Sequence, residues 1–467
     1  MSSDEDMLVS GSSPVIRTSF RASIMQQVNL GIIGGGTVGG GVYQALASNG
    51  SLMASRIGVR VAVRKVAVKS PGKRRPHAIP RSLLTSHWRD VVENPDIHVV
   101  AELMGGTTVA REAILRALEL GKPVVTANKA LLSGHGEELF AAAKEFGANL
   151  YYEASVCGGI PIIKSLREGF VGNRIAAIYG IVNGTCNYIL TRMKLEGADF
   201  ADVLEDAQRL GYAESPPDLD IDGHDAAHKI GILASLAHGF WVNPHRIHVE
   251  GIRNVSALDI RFAAKLGYTI KLLGIVKKVE AAGPARTRQG GGVQVSVYPT
   301  LIPNTHVLAS VNYAFNAVFV HGDIAGDSLF YGRGAGKDPT ASAVLSDLAD
   351  AARDLKFGNK HRLPPFVPHD RAGAVLPIER CFSEYFVRLH VVDRPGVLAK
   401  IATILGESQI GISSVIQPEG HEGRSVPLIF MLHRAPNGAA IRALKKISRL
   451  PAIKGRPVML RVEDFEK

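Results

Sequence analysis

The chain has 467 residues and a formal net charge of +11, with 46% hydrophobic and 21% charged residues. This composition is ordinary for a globular protein of several domains, and it excludes a largely disordered chain. No apolar run reaches the roughly 20 residues that would cross a bilayer, so we expect no membrane partner. Three scattered cysteines are too few for a disulfide framework, which favours a reducing compartment such as the cytoplasm.

Positive charge is concentrated between Arg56 and Arg81 and between Arg442 and Arg456. Neither stretch has interleaved aromatic residues, a zinc-finger spacing or an RNA-binding strand pattern. We therefore expect no nucleic-acid partner, and the first stretch would serve a phosphorylated small molecule equally well. Residues 1–27 are rich in serine and lack the pattern of a secretory signal, which predicts a loose or disordered tail.

Residues 28–150 alternate between apolar strands and helices, which predicts an α/β domain with a doubly wound parallel sheet of the Rossmann type. After the first strand, Gly34, Gly36 and Gly39 form the pattern G-x-G-x-x-G at the start of a helix. Such glycines let the backbone approach a pyrophosphate, to which the helix N-terminus offers free N–H groups. The pattern predicts a dinucleotide site, although glycine-rich loops also occur as simple turns.

The second strand, interpreted as Lys65 to Lys69, ends without the acidic residue that binds the ribose hydroxyl of NAD. Lys69 and Arg74 instead favour the 2′-phosphate of NADP. An exposed basic loop is the alternative for each of these side chains. The sequence therefore leaves NADP and NAD open as cofactors.

The pattern changes after about residue 150, and residues 151–336 are predicted to form an α+β domain for substrate binding, catalysis and dimerisation. A helix at about 337–356 is predicted to complete the nucleotide-binding domain. Prolines indicate a linker over 357–384. Residues 385–467 then have the pattern of a βαββαβ unit, whose D-R-P-G turn puts proline at a helix start where an amino acid could dock.

An acidic segment, GYAESPPDLDIDGHDAAHK at 211–229, precedes an apolar helical run that extends to Phe240. Asp225 and Lys229 are four residues apart and share a helix face, and Asp222 with Gly223 supplies N-cap and turn chemistry. A buried lysine ammonium must be held by carboxylates, and a lysine held in this way can pass a proton to a carbonyl. A surface ion pair beside a solvated loop is the alternative.

Several segments give the chain a resemblance to the homoserine dehydrogenases that carry a C-terminal ACT domain, and it extends over about 28–465. These segments are TANKALL at 126–132, YYEASVCGGIPII at 151–163, NGTCNYIL at 183–190, GYAE at 211–214, DGHDAAHK at 222–229 and DRPGVL at 393–398. The last of them is typical of ACT domains in many proteins, so it indicates regulation and not the reaction.

The resemblance implies the NAD(P)-dependent, reversible reduction of aspartate 4-semialdehyde to homoserine, with Lys229 as proton donor and Lys129 as a second lysine near cofactor and substrate. The implied substrate contacts are Glu214, Asp225, Asp220, Thr185 and Tyr212. The cofactor contacts, including those from the glycine and basic patterns, are Gly34, Gly36, Thr37, Val38, Gly39, Lys69, Arg74, Lys129, Gly211 and Gly334. The implied monovalent cation site, which suits sodium, uses Glu153 with the backbone oxygens of Val156, Gly158 and Ile160.

The resemblance also implies threonine, methionine and isoleucine biosynthesis, feedback by threonine through the ACT domain, and a homodimer or homotetramer. The family commonly has Asp-Pro after the loop glutamate, whereas this chain has Pro216-Pro217, which puts substrate affinity in doubt. Two alternatives stay open: another amino-acid dehydrogenase with an ACT appendage, and a non-enzymatic amino-acid sensor built on a dinucleotide fold.

Overall fold

The computed structural model describes most of the chain, namely residues 26–73, 79–279, 291–359, 364–370, 372–417 and 425–465. The predicted tail, apart from its last two residues, and the predicted cofactor contact Arg74 lie outside them.

The first domain is a parallel sheet with the strand order β3-β2-β1-β4-β5-β6. This order is that of dinucleotide-binding doubly wound folds, which confirms the predicted fold class. The elements are β1 (Gln27–Ile33), α1 (Thr37–Ile57), β2 (Arg60–Ala67), β3 (Leu84–Thr85), α2 (Arg89–Val92), β4 (Val99–Glu102), α3 (Thr108–Glu119), β5 (Val124–Thr126), α4 (Lys129–Glu145) and β6 (Leu150–Tyr151).

The second domain packs helices on an antiparallel sheet with the order β12-β11-β7-β9-β10. Its elements are α5 (Ile162–Lys164), β7 (Ile175–Ile181), α6 (Gly184–Glu196), α7 (Phe200–Arg209), α8 (Asp218–Ile221), α9 (His224–His238), β8 (His248–Val249), α10 (Ala257–Lys265), β9 (Tyr268–Val279), β10 (Gly292–Pro303), β11 (Phe315–Gly322) and β12 (Gly326–Arg333). The helix α9 packs on β9 and β10 and also contacts α4, so it lies at the junction of the two domains.

A long helix returns the chain to the first domain. It is α11 (Lys337–Phe357), and it packs against α1. Its buried residues Val344 and Leu348 share a core with Leu30 and Val42 of the first domain. The helix α11 therefore packs with the first domain, and two chain segments cross between the domains.

The C-terminal unit has the predicted βαββαβ order. Its elements are β13 (Phe382–Val392), α12 (Val397–Glu407), β14 (Ile412–Ile416), β15 (Ser425–Pro436), α13 (Asn437–Ile447) and β16 (Ile453–Val462). Its first strand begins inside the predicted linker. The helix α12 begins at Val397 after the N-cap Gly396, so Pro395 lies before the helix and not at its first position.

The C-terminal unit shares a sheet with the second domain. The strand β16 pairs in parallel with β10 through Thr300 opposite Arg461 and Leu301 opposite Val462. The preceding connection is also paired, because the N–H of Leu376 donates to the carbonyl of Val293 at 2.9 Å. A displacement of the C-terminal unit would therefore shift β10, a strand on which α9 packs.

Among the described residues, no helix is both long enough and apolar enough to pass through a membrane. The three cysteines are free thiols, and all three are buried. Their burial leaves packing as their main contribution to the fold.

Candidate active site

The glycine loop between β1 and α1 has the shape that a dinucleotide requires. Gly34 has a φ of 108°, which favours glycine, and a side chain there would overlap the carbonyl of Leu103. A side chain on Gly39 would overlap the carbonyl of Gly34. No described side chain caps α1, so its first N–H groups remain available to an anion. The predicted contacts Gly36, Thr37 and Val38 lie at this helix start, and the loop fits a pyrophosphate.

The basic residue after β2 lies farther from the strand than predicted. The strand ends at Ala67, and Lys69 follows it in an exposed turn. The interpretation of Lys69 as the last strand residue was therefore wrong, because pairing with β3 stops at Ala67. The side chain still lies at the carboxyl edge of the parallel sheet, where doubly wound folds bind their ligands.

The ends of β4 and β5 complete this edge of the sheet. The buried carboxylate of Glu102 accepts a hydrogen bond from the N–H of Met104 at 2.9 Å and another from the hydroxyl of Thr126 at 2.8 Å. Burial raises the pKa of Glu102. The amide of Asn128 donates to the carbonyl of Gly106 at 2.7 Å and caps α4 through the N–H of Leu131. These contacts aim Lys129, the first residue of α4, at the second domain.

The helix α9 presents the central charged group of the site. The Nζ atom of Lys229 donates to Oδ2 of Asp225 at 2.7 Å and to the carbonyl of Val182 at 2.7 Å. Lys129 from the first domain reaches Oδ1 of the same carboxylate at 3.1 Å. The side chain of Lys229 is 9% exposed, which is the opposite of a solvated surface pair. Two lysines from different domains therefore share one buried carboxylate.

The pKa values of this pair follow from burial and charge together. Burial alone would raise the pKa of Asp225, but the charges of Lys229 and Lys129 outweigh burial and lower it well below its usual range. Burial alone would lower the pKa of Lys229, and the neighbouring Asp225 charge raises it above that of an ordinary lysine. Lys229 is therefore an ammonium at neutral pH, held in a place where it can act as an acid.

Asn183 organises the carboxylates, and the sequence reasoning missed it. Its amide donates to Oδ1 of Asp220 at 2.8 Å and to Oδ2 of Asp225 at 2.9 Å, while its own oxygen caps α6. The hydroxyl of Thr185 donates to Oδ2 of Asp220 at 3.3 Å and to the carbonyl of Tyr212 at 2.7 Å. Burial raises the pKa of Asp220. The N-cap pattern of asparagine before Gly184 was the signal available in the sequence.

The loop between α7 and α8 carries the remaining predicted substrate contacts. The ring of Tyr212 stacks on Tyr188, with centroids 4.4 Å apart. Glu214 is exposed on this loop. Gly211 precedes Tyr212, and no hydrogen bond among the described residues joins it to the glycine loop. The loop therefore faces the acidic cluster, and the predicted cofactor role of Gly211 stays a prediction.

The N-cap of α9 differs from the prediction. Gly223 is the N-cap, without a side-chain hydrogen bond, and Asp222 instead forms an ion pair with Arg253. The same arginine pairs with Asp218. These two carboxylates of the acidic segment are thus engaged by a cation that the sequence reasoning did not single out, since Arg253 is distant in the chain.

A second turn meets the site between the two domain crossings. The N–H of Gly159 donates to the carbonyl of Arg333 at 3.0 Å, and Gly158 lies against Gly334. Gly334 in turn packs on the buried Asn316. Burial raises the pKa of the nearby Cys157 thiol to about 11, so the thiol is protonated at neutral pH. The turn brings the predicted contact Gly334 beside the predicted cation turn.

The proposed cation ligands fit a cation only in part. Both carboxylate oxygens of Glu153 accept backbone hydrogen bonds, from Ile163 at 2.9 Å and Lys164 at 2.7 Å. Burial raises the pKa of Glu153 to about 7. Among the described residues, no group of three or more His, Cys, Asp or Glu side chains is arranged for a metal ion. The ligand set with the backbone oxygens of Val156, Gly158 and Ile160 rests on the family resemblance, and the sodium site stays a prediction.

Comparisons with known proteins agree with this arrangement. Family models match the NAD-binding domain of homoserine dehydrogenase at residues 34–153, homoserine dehydrogenase at 161–349 and the ACT domain at 385–449. A Pseudomonas aeruginosa homoserine dehydrogenase is 44% identical over 446 residues, covering 94% of this chain and all of that protein. One from Neisseria gonorrhoeae is 40% identical over 444 residues, with 94% of this chain and all of that protein covered.

A solved structure gives the same result in three dimensions. The homoserine dehydrogenase of Thiobacillus denitrificans is 42% identical, with a TM-score of 0.86, and the match covers 94% of this chain and 99% of that one. With the glycine loop, the buried Lys229 and the C-terminal unit in place, the chain belongs to the homoserine dehydrogenase family, as an NAD-binding oxidoreductase with an ACT domain.

Proposed function

We propose that the protein interconverts L-aspartate 4-semialdehyde and L-homoserine with NADP or NAD, as a step in threonine, methionine and isoleucine biosynthesis. The observation that carries this proposal is the buried ammonium of Lys229, which is held by Asp225 at 2.7 Å beside Lys129 at the domain junction. A nicotinamide cofactor supplies the hydride when it is bound. The chain itself must bind the amino acid, exclude water and move one proton.

Lys229 is the proposed proton donor to the aldehyde oxygen, and in the reverse direction it accepts the hydroxyl proton of homoserine. Its raised pKa keeps it charged, so it is ready to protonate the developing alkoxide. Asp225 and the carbonyl of Val182 orient the ammonium. Lys129 adds a second positive charge on the opposite side of the carboxylate, where a developing oxyanion would also be stabilised.

The acidic cluster is the proposed site for the α-amino group of the substrate. Asp220, half-buried and hydrogen-bonded to Asn183 and Thr185, has the charge that an ammonium requires. Glu214 is exposed on the neighbouring loop and is the second proposed contact, and Tyr212 of the same loop stacks on Tyr188. Pro216 replaces the family's usual acidic residue, so we expect weaker substrate binding than in a relative that has it.

NADP is the proposed preferred cofactor, because the chain has Lys69 and no acidic residue after β2. Initial rates with NADP and with NAD measure the preference. Lys69→Ala should raise the KM for NADP several-fold and leave that for NAD unchanged. A control is Lys144→Ala, which removes a lysine from the far end of α4. Equal KM values for NADP in Lys69→Ala and the unaltered protein would remove this role.

Threonine is the proposed effector of the ACT domain, since that domain implies an amino-acid ligand and the turn before α12 presents helix N–H groups. Inhibition that grows with added threonine, together with a rise in thermal stability, would support binding. If threonine changes neither quantity, another effector or none acts on this domain. Serine is a control for general amino-acid effects.

A sodium ion, a homodimer or homotetramer and a cytoplasmic location complete the proposal. The cation would bind the turn that contains Val156, Gly158 and Ile160, and replacing sodium by choline should then lower thermal stability. Self-association is supported by the apolar residues Leu329 and Tyr331, 43% and 55% exposed on the edge strand β12. Light scattering at several concentrations measures it. The free thiols suit the cytoplasm.

The direct test is reduction of NADP by the purified protein with L-homoserine, compared with L-serine and L-threonine. Homoserine should be strongly preferred, because its hydroxyl lies one carbon farther from the α-amino group. The alternative of an amino-acid sensor predicts threonine binding without turnover. A folded protein that binds NADP and threonine but oxidises none of the three alcohols would favour the sensor.

A further inference from the structure

Three ion pairs among the described residues join the ACT domain to the catalytic domain. They are Arg461 with Glu250, Arg388 with Asp259, and Lys277 with Glu463. The pair of Arg461 with Glu250 differs from the other two in the element of the catalytic domain that it contacts. Arg388 reaches α10 and Lys277 belongs to the sheet, whereas Glu250 lies in a short segment that contacts the acidic cluster of the active site.

Arg461 is the most enclosed of these cations, with only 2% of its side chain exposed. Its two terminal nitrogens donate to the two oxygens of Glu250 at 2.9 and 3.0 Å. Its third nitrogen donates to Asn437 of α13 at 2.7 Å, and its guanidinium lies 4.3 Å from the ring centroid of Tyr298. Three hydrogen bonds and the ring contact therefore hold the guanidinium, and its two bonds to Glu250 orient that carboxylate.

Residues 248–253, which we name the linking segment, run from this ion pair to the active site. At the first end β8 pairs with β10, and the N–H of Glu250 donates to the carbonyl of Val297 at 2.7 Å. At the other end the N–H of Ile252 donates to the carbonyl of Ile221 at 2.8 Å. Between them Gly251 lies so close to Ile221 that a side chain would overlap its carbonyl.

The linking segment also grips the acidic cluster through charge. Arg253 forms ion pairs with Asp218 and Asp222, which flank Asp220 and Ile221 on and after α8. Its Nη2 atom donates to Oδ2 of Asp222 at 3.0 Å. The short helix α8 and Asp222 directly after it thus have three contacts with the linking segment, two ionic and one through the backbone. They hold the backbone on both sides of Asp220, whose carboxylate is bound by Asn183 and Thr185.

The start of the catalytic helix touches the same segment. A side-chain carbon built on Gly223, the N-cap of α9, would lie 3.1 Å from Val249 and 3.4 Å from the carbonyl of Glu250. Asp225, which holds both lysines, is two residues farther along. A shift of Glu250 by a fraction of an ångström would therefore reach α8 and the first turn of α9 together.

We propose that Arg461 and Glu250 are positioning residues for the reaction, through which the ACT domain sets the geometry of the substrate side of the active site. They act through the linking segment on Asp220 and Asp225, and not through the glycine loop. This inference rests on the proposed function, in which Asp220 binds the substrate and Asp225 orients Lys229. It assigns to the ACT domain a function in the absence of any effector.

The test compares Glu250→Gln and Arg461→Met in the full-length protein. Each should raise the KM for homoserine by about 2- to 30-fold, the range for coupling through packed networks, with a smaller change in kcat. The KM for NADP should stay within about twofold, because the glycine loop does not contact the segment. Glu250→Gln keeps the shape of the side chain, so it decides the test if Arg461→Met does not fold.

Arg388→Met is the matched control, because it breaks another ion pair between the same two domains. It should lower thermal stability without raising the KM for homoserine. Arg253→Met and Arg461→Met together form a double-mutant cycle. If both residues act through the linking segment, the effect of the double variant on the KM for homoserine should be smaller than the sum of the two single effects, expressed as free energies.

Two outcomes would overturn the proposal while the unaltered protein oxidises homoserine. One is an unchanged KM for homoserine in folded Glu250→Gln. The other is a KM for homoserine that rises as much in Arg388→Met as in Arg461→Met. Inactivity of the unaltered protein would instead count against the proposed function, so the two failures are distinguishable.

Discussion

Replacing Lys229 by alanine should abolish most turnover and leave the protein folded with its cofactor site intact. General acid catalysis contributes about 10²–10⁴-fold, or roughly 3–5 kcal/mol of transition-state stabilisation. Asp225 keeps its ion pair with Lys129 at 3.1 Å and its hydrogen bond from Asn183 at 2.9 Å, so no buried carboxylate is left without a partner. We therefore expect a folding cost of only about 1–3 kcal/mol.

The assay is steady-state oxidation of homoserine, with NADP binding and thermal unfolding measured on the same samples. The matched control is Lys271→Ala, which truncates another buried lysine of the catalytic domain; it binds Asn187 and lies outside the proposed site. It should lose stability but less than tenfold in turnover. Lys229→Arg keeps a charge that does not readily give up a proton, so it should also be slow. Turnover of Lys229→Ala within about threefold of the unaltered protein would refute the argument.

Three further predictions follow from buried groups and close contacts. Oxidation of homoserine requires Lys229 as a neutral base, and the raised pKa of Lys229 keeps it protonated at neutral pH. The kcat/KM for homoserine oxidation should therefore rise with pH into the range above the ordinary lysine pKa. A plateau of kcat/KM near neutral pH would contradict this. Gly39→Ala should weaken NADP binding at least tenfold by its overlap with the Gly34 carbonyl, whereas Gly50→Ala on the same helix, with open space around it, should leave binding unchanged and stabilise by about 0.5–1 kcal/mol, as binding titrations and melts would show. Burial lowers the pKa of Lys271 from 10.5 to about 7, so between these two pH values the unfolded chain binds one proton more than the folded protein. The free energy of unfolding should therefore rise across that window by about a few kcal/mol relative to Lys271→Met. Parallel curves of stability against pH for the two proteins would rule this out.

Much of the site was predictable where its chemistry is local in the chain. The G-x-G-x-x-G spacing, the helix over α1 and the shared face of Asp225 and Lys229 all depend on residues within a turn or two of one another. The apolar run after Lys229 predicted its burial, and the lysine is 9% exposed. The family resemblance added Lys129, Asp220 and Thr185, which no spacing in the sequence would have brought together.

Errors and omissions occurred where the answer depends on distant partners. The end of β2 at Ala67 is decided by its pairing with β3, and the engagement of Asp222 by Arg253 is decided across the fold. The backbone N–H groups that bind both oxygens of Glu153 likewise come from the turn into α5, ten and eleven residues farther along the chain. The hydrogen bonds between the connection and β10 at Val293 are also decided across the fold.

The sequence by itself determined the elements, their order and the reactive residue types, because periodicity and turn chemistry act between near neighbours. Only the tertiary structure decided that Lys129 and Lys229 share Asp225, that Asn183 joins two carboxylates, and that the ACT strand β16 extends the catalytic sheet. These contacts form when separate elements pack and lose water together, and the stability of a buried charge depends on that packing. Pattern along a chain carries no measure of the distance between such groups.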